Sequence, residues 1–228
     1  MSFRRGPLKL VDCDNHGEGS AAELFVVEGD SAALAVSQVR DARTQAVLPM
    51  QGKPLNALRA TAGRVTANPF FMALVDAIGA GWGGTLDLRS MRYERVLLLT
   101  DPDADGIHCG ALLLMFFHRW MPALLEQGHL EMVRPPFGEI TLGPGEPPRL
   151  VYSEPEFQAV SAQLRASGAA PFTALRYRGL GSLGLETLET LCVRPGTRRS
   201  HKLAVADAKM AMSVFASLKA MPPQRSLL

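Results

Sequence analysis

Glu28, Asp101, Asp103 and Asp105 stand where two apolar runs end. Glu23 to Val27 (ELFVV) leads into Glu28-Gly29-Asp30-Ser31, and Val96 to Thr100 opens onto Asp101-Pro102-Asp103-Ala104-Asp105-Gly106. These residue types suit Mg²⁺, a hard cation that takes oxygen ligands in an octahedron, keeps several waters and shares its shell with substrate phosphates. Aspartates at i, i+2 and i+4 point to one side if the chain stays extended, and Pro102 favours that state at Asp101. Glu28 adds a fourth oxygen donor or a proton-transfer group, and the set can serve one or two ions.

Two other readings of the aspartate run are weaker. Asp-x-Asp-x-Asp-Gly also opens an EF-hand loop, but position twelve is Leu112 in place of the bidentate glutamate, and the run follows a strand. An aspartyl-phosphate phosphotransferase also ends a strand in Asp-x-Asp, yet it leaves Glu28 without a task. A solvated turn with helix-capping aspartates explains Asp-x-Asp alone but not the Glu-Gly-Asp-Ser turn beside it.

The elements that must position these acids read as a parallel α/β sheet. Strands that are near-continuous apolar runs are covered on both faces, and their ligands gather outside the carboxyl ends. The sequence predicts strands over Glu23–Val27, Gln45–Pro49, Val96–Thr100 and His129–Val133. It predicts helices over Ser31–Val39, capped by Asp30 or Ser31, then Asn68–Ile78 and His108–Leu125. A polar leader runs to about Ser20. The Gly143-to-Pro148 breaker cluster opens a second region, with helices over Glu154–Ala166 and Ala204–Lys219 and a frayed tail after Met221. The expected division is a leader over 1–20, a main domain over 21–140 and a tail domain over 141–228.

The 228 residues are 47% hydrophobic and 20% charged, the balance of an ordinary globular chain. Net charge is only +2, but it is unevenly spread. Arg40, Arg43, Lys53, Arg59 and Arg64 form one basic stretch, and Arg176, Arg178, Arg194, Arg198, Arg199 and Lys202 form another; both are candidate phosphate-contact surfaces. Three scattered cysteines make neither a disulfide framework nor a zinc site and imply a reducing compartment. No apolar stretch is long enough for a membrane span and the N-terminus lacks a signal-peptide core, so a cytoplasmic location is expected. Tyr177 lies in a basic loop and His108 in a core helix, both read as structural.

The chain resembles the Toprim domain and adjoining tail region of the B subunit of bacterial type IIA topoisomerases, DNA gyrase and topoisomerase IV. The resemblance rests on KLVDC (9–13), ELFVVEGDSA (23–32), QAVLP with GKPLN (45–56), LRSMRY (88–93), the acid run from Thr100 to His108, Gly128-His129, Pro135-Pro136 and RYRGLG (176–181), all in the family's order. It implies a Rossmann-like parallel sheet with helices on both faces, followed by a small α+β tail domain. It also implies that Glu28, Asp101 and Asp103 hold Mg²⁺, with Asp105 in support and Glu28 as the acid–base group. The attacking tyrosine would come from a gyrase A or topoisomerase IV A-like partner. Lys53, Arg176 and Arg178 would meet double-stranded DNA or that partner.

The family's B subunit begins with ATPase and transducer regions that have no counterpart here, and no Gly-x-x-x-x-Gly-Lys phosphate loop occurs. No ATP site is therefore expected, and a separate ATPase subunit becomes a possible partner. Met1-Ser2-Phe3-Arg4-Arg5 reads as a native start. Several positions depart from the pattern: Gln51 and Gly110 stand at usual cations, Ala33-Leu34 replaces Gly-Gly, Gly138-Glu139 replaces a Tyr and a basic residue, and Leu183 replaces a Met. Losing cations while keeping the acids predicts an intact metal site with altered DNA contact. The expected function is the Mg²⁺-dependent cleavage–religation half of a topoisomerase. The alternatives are a non-catalytic assembly module on a gyrase-like partner, or a stand-alone Toprim nuclease.

Overall fold

The structure, a computed structural model, describes residues 9–143, 145–167 and 171–220. The frayed tail expected after Met221 and the first part of the leader lie outside the described residues.

Five strands form the main sheet. β1 (Glu23–Glu28) is followed by α1 (Gly29–Val39) and β2 (Gln45–Met50), then α2 (Ala62–Thr66), α3 (Pro69–Ile78) and β3 (Arg95–Leu99). Next come α4 (Ala104–Trp120), α5 (Pro122–Glu126) and β4 (Leu130–Val133). β1 pairs in parallel with β2 on one side and β3 on the other, and β3 pairs in parallel with β4. The chain leaves β1 toward β2 and returns past it to β3. The crevice above the carboxyl ends of β1 and β3 is therefore the topological switch point, where such sheets take their ligands.

Alternation along each strand divides the core. Leu24, Val26, Leu48, Val96 and Leu98 face α3 and α4, where Phe71 stacks on Phe116 at 4.3 Å between ring centroids. Phe25, Val27, Val47, Leu97 and Leu99 face α1. Pro49 is tolerated because β2 is the edge strand. The leader shields that edge, since Val11 and Val47 exchange both backbone hydrogen bonds.

A second, three-stranded antiparallel sheet has the order β6-β5-β7, from β5 (Gly138–Thr141), β6 (Arg149–Val151) and β7 (Thr173–Arg176). α6 (Glu154–Ala166) packs on it through Val160, against Ile140 and Val151. The chain then returns to the main body. α7 (Leu185–Leu188) and a π-helical turn over Glu189–Val193 place Leu188, Cys192 and Val193 in the α1-side core. β8 (Ser200–Lys202) pairs antiparallel with β4, and α8 (Val205–Ala220) follows. The main sheet thus takes its last strand from the segment assigned to the tail.

Two predicted elements differ in extent. The helix expected over His108–Leu125 is two helices: Asp103 caps α4, which starts at Ala104, and Met121-Pro122 ends it and opens α5 with proline at its first turn. α1 starts at Gly29, ahead of the expected cap, and Asp30 lies in its first turn, held by Lys9 at 2.8 Å.

Candidate metal centre

Three of the four predicted acids meet at the switch point. Glu28 is the last residue of β1 and occupies the cap position of α1, yet its side chain makes no capping hydrogen bond. Asp101 follows β3 by two residues, and Asp103 caps α4 by accepting from the Gly106 N–H at 2.9 Å. Gly106 is required there, since a Cβ on it would lie 2.1 Å from the Asp101 carbonyl oxygen.

The electrostatics mark these acids as one group. Burial pushes the Glu28 carboxyl above the usual carboxylate range, and the charges of Asp101 and Asp103 push it further. Burial also raises Asp101, outweighing the Leu180 N–H that stabilises its anion, with Asp103 adding to the rise. Glu28 Oε2 is buried and has no hydrogen-bond partner, while Oε1 faces the Cys109 thiol at 3.7 Å. An orphaned carboxylate oxygen beside two like charges is costly unless a cation or proton joins it. The donor set is all oxygen, which fits a hard divalent cation.

The acids do not form a closed cage. Among the described residues, the one trio of potential ligands lying within 4.8 Å of one another is Asp12, Cys13 and His16. That trio serves structure. Asp12 accepts from Tyr93 Oη at 2.6 Å and from the Cys13 N–H at 2.9 Å, and it pairs with His16 and with the Arg92 guanidinium. Burial opposes ionisation of Asp12, but these hydrogen bonds win and hold its carboxyl well below the usual range.

Asp105 is placed differently. The extended i, i+2, i+4 run ends at Asp103, because the cap turns the chain into α4 and puts Asp105 in its first turn. There Asp105 accepts from Lys53 Nζ at 2.6 Å, and this bond holds its carboxyl below the usual range. Lys53 is thereby joined to the first turn of α4.

The RYRGLG loop lies against the acids. The Leu180 N–H donates to Asp101 Oδ1 at 2.8 Å, and a Cβ on Gly179 would come within 2.7 Å of Asp101 Oδ2. Arg178 is exposed. Arg176 lies over the Phe137 ring at 4.8 Å and within 3.9 Å of Glu154. Tyr177 donates to Glu139 at 2.7 Å, the structural role expected of it. Two cations of the second basic stretch are engaged within the fold, Arg198 buried on Glu23 at 2.6 Å and Arg194 paired with Glu189. Charge runs in sequence do not reveal such pairings.

Sequence reasoning missed Cys109 and the backbone of Gly179 and Leu180 as neighbours of the acids. Cys109 carries a signal in retrospect, four residues after Asp105 on the α4 turn facing the sheet. Gly110 beside it would place a Cβ 2.9 Å from Met132 Cε, and it lines a largely apolar cavity of ≈ 810 Å³ between α4 and α8 that opens beside Asp101.

A sheet of four parallel strands with one antiparallel edge strand, carrying acids at the carboxyl ends of β1 and β3 at its switch point, defines the class of fold. Residues 23–135 match the Toprim domain, and that part of the chain belongs to that family. Over 93% of its length it is similar to the B subunit of DNA gyrase: 37% identical to that of Thermus thermophilus over 216 residues, 37% to that of Archaeoglobus fulgidus over 212, and 35% to that of Staphylococcus aureus over 212. It spans about a third of those relatives, 33%, 32% and 32% of their lengths. Among the described residues no helix is long and apolar enough to cross a membrane.

Proposed function

We propose that this chain is the metal-holding, acid–base half of a type IIA topoisomerase cleavage–religation centre, acting on double-stranded DNA in the cytoplasm with a gyrase A-like subunit that carries the tyrosine. The observation that carries the reading is the buried, unpartnered Oε2 of Glu28 beside Asp101 and Asp103. The similarity to the B subunit of DNA gyrase supports it.

Glu28, Asp101 and Asp103 would hold Mg²⁺. When bound, the ion supplies Lewis-acid polarisation of a scissile phosphodiester and charge stabilisation for the departing 3′ oxygen. Glu28 would serve as general acid in cleavage and general base in religation; with no cation bound, burial and the charges of Asp101 and Asp103 raise its proton affinity. Asp101 is kept oriented by the Leu180 N–H. Lys53 and Arg178 neutralise phosphates along the rim, and Arg176 buttresses the small sheet behind them.

The test is plasmid relaxation and detergent-trapped DNA cleavage in Mg²⁺, with the chain alone and with the A-type subunit, comparing wild type with Glu28→Gln. The expected result is cleavage that needs both the partner and Glu28. Nicking by the chain alone would make it a nuclease. Partner binding without cleavage would make it an assembly module.

A further inference from the structure

The cavity of ≈ 810 Å³ between α4 and α8 has the size of a small-molecule site and the apolar lining such sites share. Its rim is apolar as well. Ile107 of α4 and Met210 and Val214 of α8 line it while remaining 67%, 69% and 52% exposed. His108 of α4 and Phe215 of α8 also line it and meet edge to face at 5.2 Å between ring centroids, a wall on which a flat ring packs well.

The polar groups of the cavity gather in one cationic corner. Met132 pairs with His201 across β4 and β8, and the alternation of side chains sets Arg134 on the face that carries Met132. Arg134, His201 and Tyr152 all line the cavity. Burial lowers the proton affinity of His201 and the charge of Arg134 lowers it further, so the two groups are close. The Arg134 N–H donates to the Arg199 carbonyl at 2.8 Å, and the Arg199 guanidinium lies over the Tyr152 ring at 4.2 Å. The acids nearby are engaged elsewhere. Asp101 accepts from the Leu180 N–H, Asp207 from the Ala204 N–H at 2.8 Å, and Glu131 from Ser200 at 2.9 Å. Among the described residues no carboxylate pairs with Arg134, so the corner is left with net positive charge.

We infer that this cavity binds a flat aromatic anion, its rings held between α4 and α8 and its acid group at Arg134 and His201. The apolar walls supply area for the rings, and the corner supplies the charge and the donors that orient them. A cation would meet Arg134 without compensation, and an uncharged ligand would leave the corner unused. The site stands whether or not Glu28, Asp101 and Asp103 hold a metal ion.

Titrating the full chain with anilinonaphthalene sulfonate, read by fluorescence and by calorimetry, tests this. One molecule is expected to bind per chain. Ala211→Phe, which fills the cavity from α8, should abolish that binding, and Ala111→Leu does the same from α4 if the first variant does not fold. Arg134→Gln should weaken the sulfonate by about two- to fivefold, the worth of one partly exposed charge pair, and leave the uncharged N-phenylnaphthylamine unchanged. Naphthoate and adenosine monophosphate, added as competitors, separate an aromatic carboxylate from a nucleotide as the occupant. Displacement by neither overturns the inference. So does sulfonate binding that survives both cavity-filling variants, or an Arg134→Gln chain that holds the sulfonate as tightly as wild type or loses both probes equally.

Discussion

The backbone N–H of Leu180 donates to Asp101 Oδ1 at 2.8 Å, joining two residues 79 positions apart. The Arg-Tyr-Arg-Gly-Leu-Gly loop is therefore a brace for the acid site as well as a basic surface. Any change in that loop reaches Asp101 directly.

Gly179 is where the brace is least tolerant. Its φ of 142° belongs to a region essentially confined to glycine, and an added Cβ would sit 2.7 Å from Asp101 Oδ2. Gly179→Ala should cost about 1–3 kcal/mol of stability from backbone strain and should weaken divalent-cation binding by displacing Asp101. Urea unfolding and Mn²⁺ titration check both effects. Unchanged cation affinity would show that the loop does not position Asp101.

Arg198 and Glu23 form a buried pair at 2.6 Å, 4% and 1% exposed, with Gln45 and the half-exposed Arg95 also on Glu23. Removing one member of a buried pair strands the other charge. Arg198→Leu should therefore destabilise the fold by about 3 kcal/mol in urea unfolding. A loss near zero would mean that Arg95 alone compensates Glu23.

What could be read from the sequence was local. The apolar runs located β1 to β4 to within one or two residues, because burial on both faces leaves an uninterrupted apolar signature, and the helix over Glu154–Ala166 coincides with α6, which Ser153 caps. The acids were legible for the same reason, since each follows such a run. The resemblance implied an α+β tail, but the strands of the small sheet were not located: β6 has three residues and β7 is exposed throughout, so neither carries a periodic pattern. The Glu23–Arg198 pair spans 175 residues, and no local signal announces it. Asp105 was assigned from its spacing and from the resemblance, and the capping bond of Asp103 places it in the first turn of α4.

The raised proton affinity of Glu28 has a definite sign in stability. Burial, then Asp101 and Asp103, make the folded chain bind this proton more tightly than the unfolded chain does. Its stabilising contribution is thus complete below the ordinary carboxylate range and is lost as pH rises through the raised folded value. In EDTA above that window, Glu28→Gln should melt at a higher temperature than wild type, and the two should converge as pH falls through it. Saturating Mg²⁺ should raise the melting temperature of wild type more than that of the variant. A wild type that outlasts Glu28→Gln in EDTA at pH 8 contradicts the arrangement.

Gln51 is exposed two residues before Lys53, at a position where the resembling family carries a cation. If DNA passes the loop after β2, a lysine there adds one phosphate contact. Gln51→Lys should tighten duplex binding and make the slope of log affinity against log salt more negative by about 0.9, the increment for one further counterion released. Fluorescence anisotropy with a labelled duplex across a salt series measures both. An unchanged slope would place the DNA path away from the loop after β2, and with it the role assigned to Lys53.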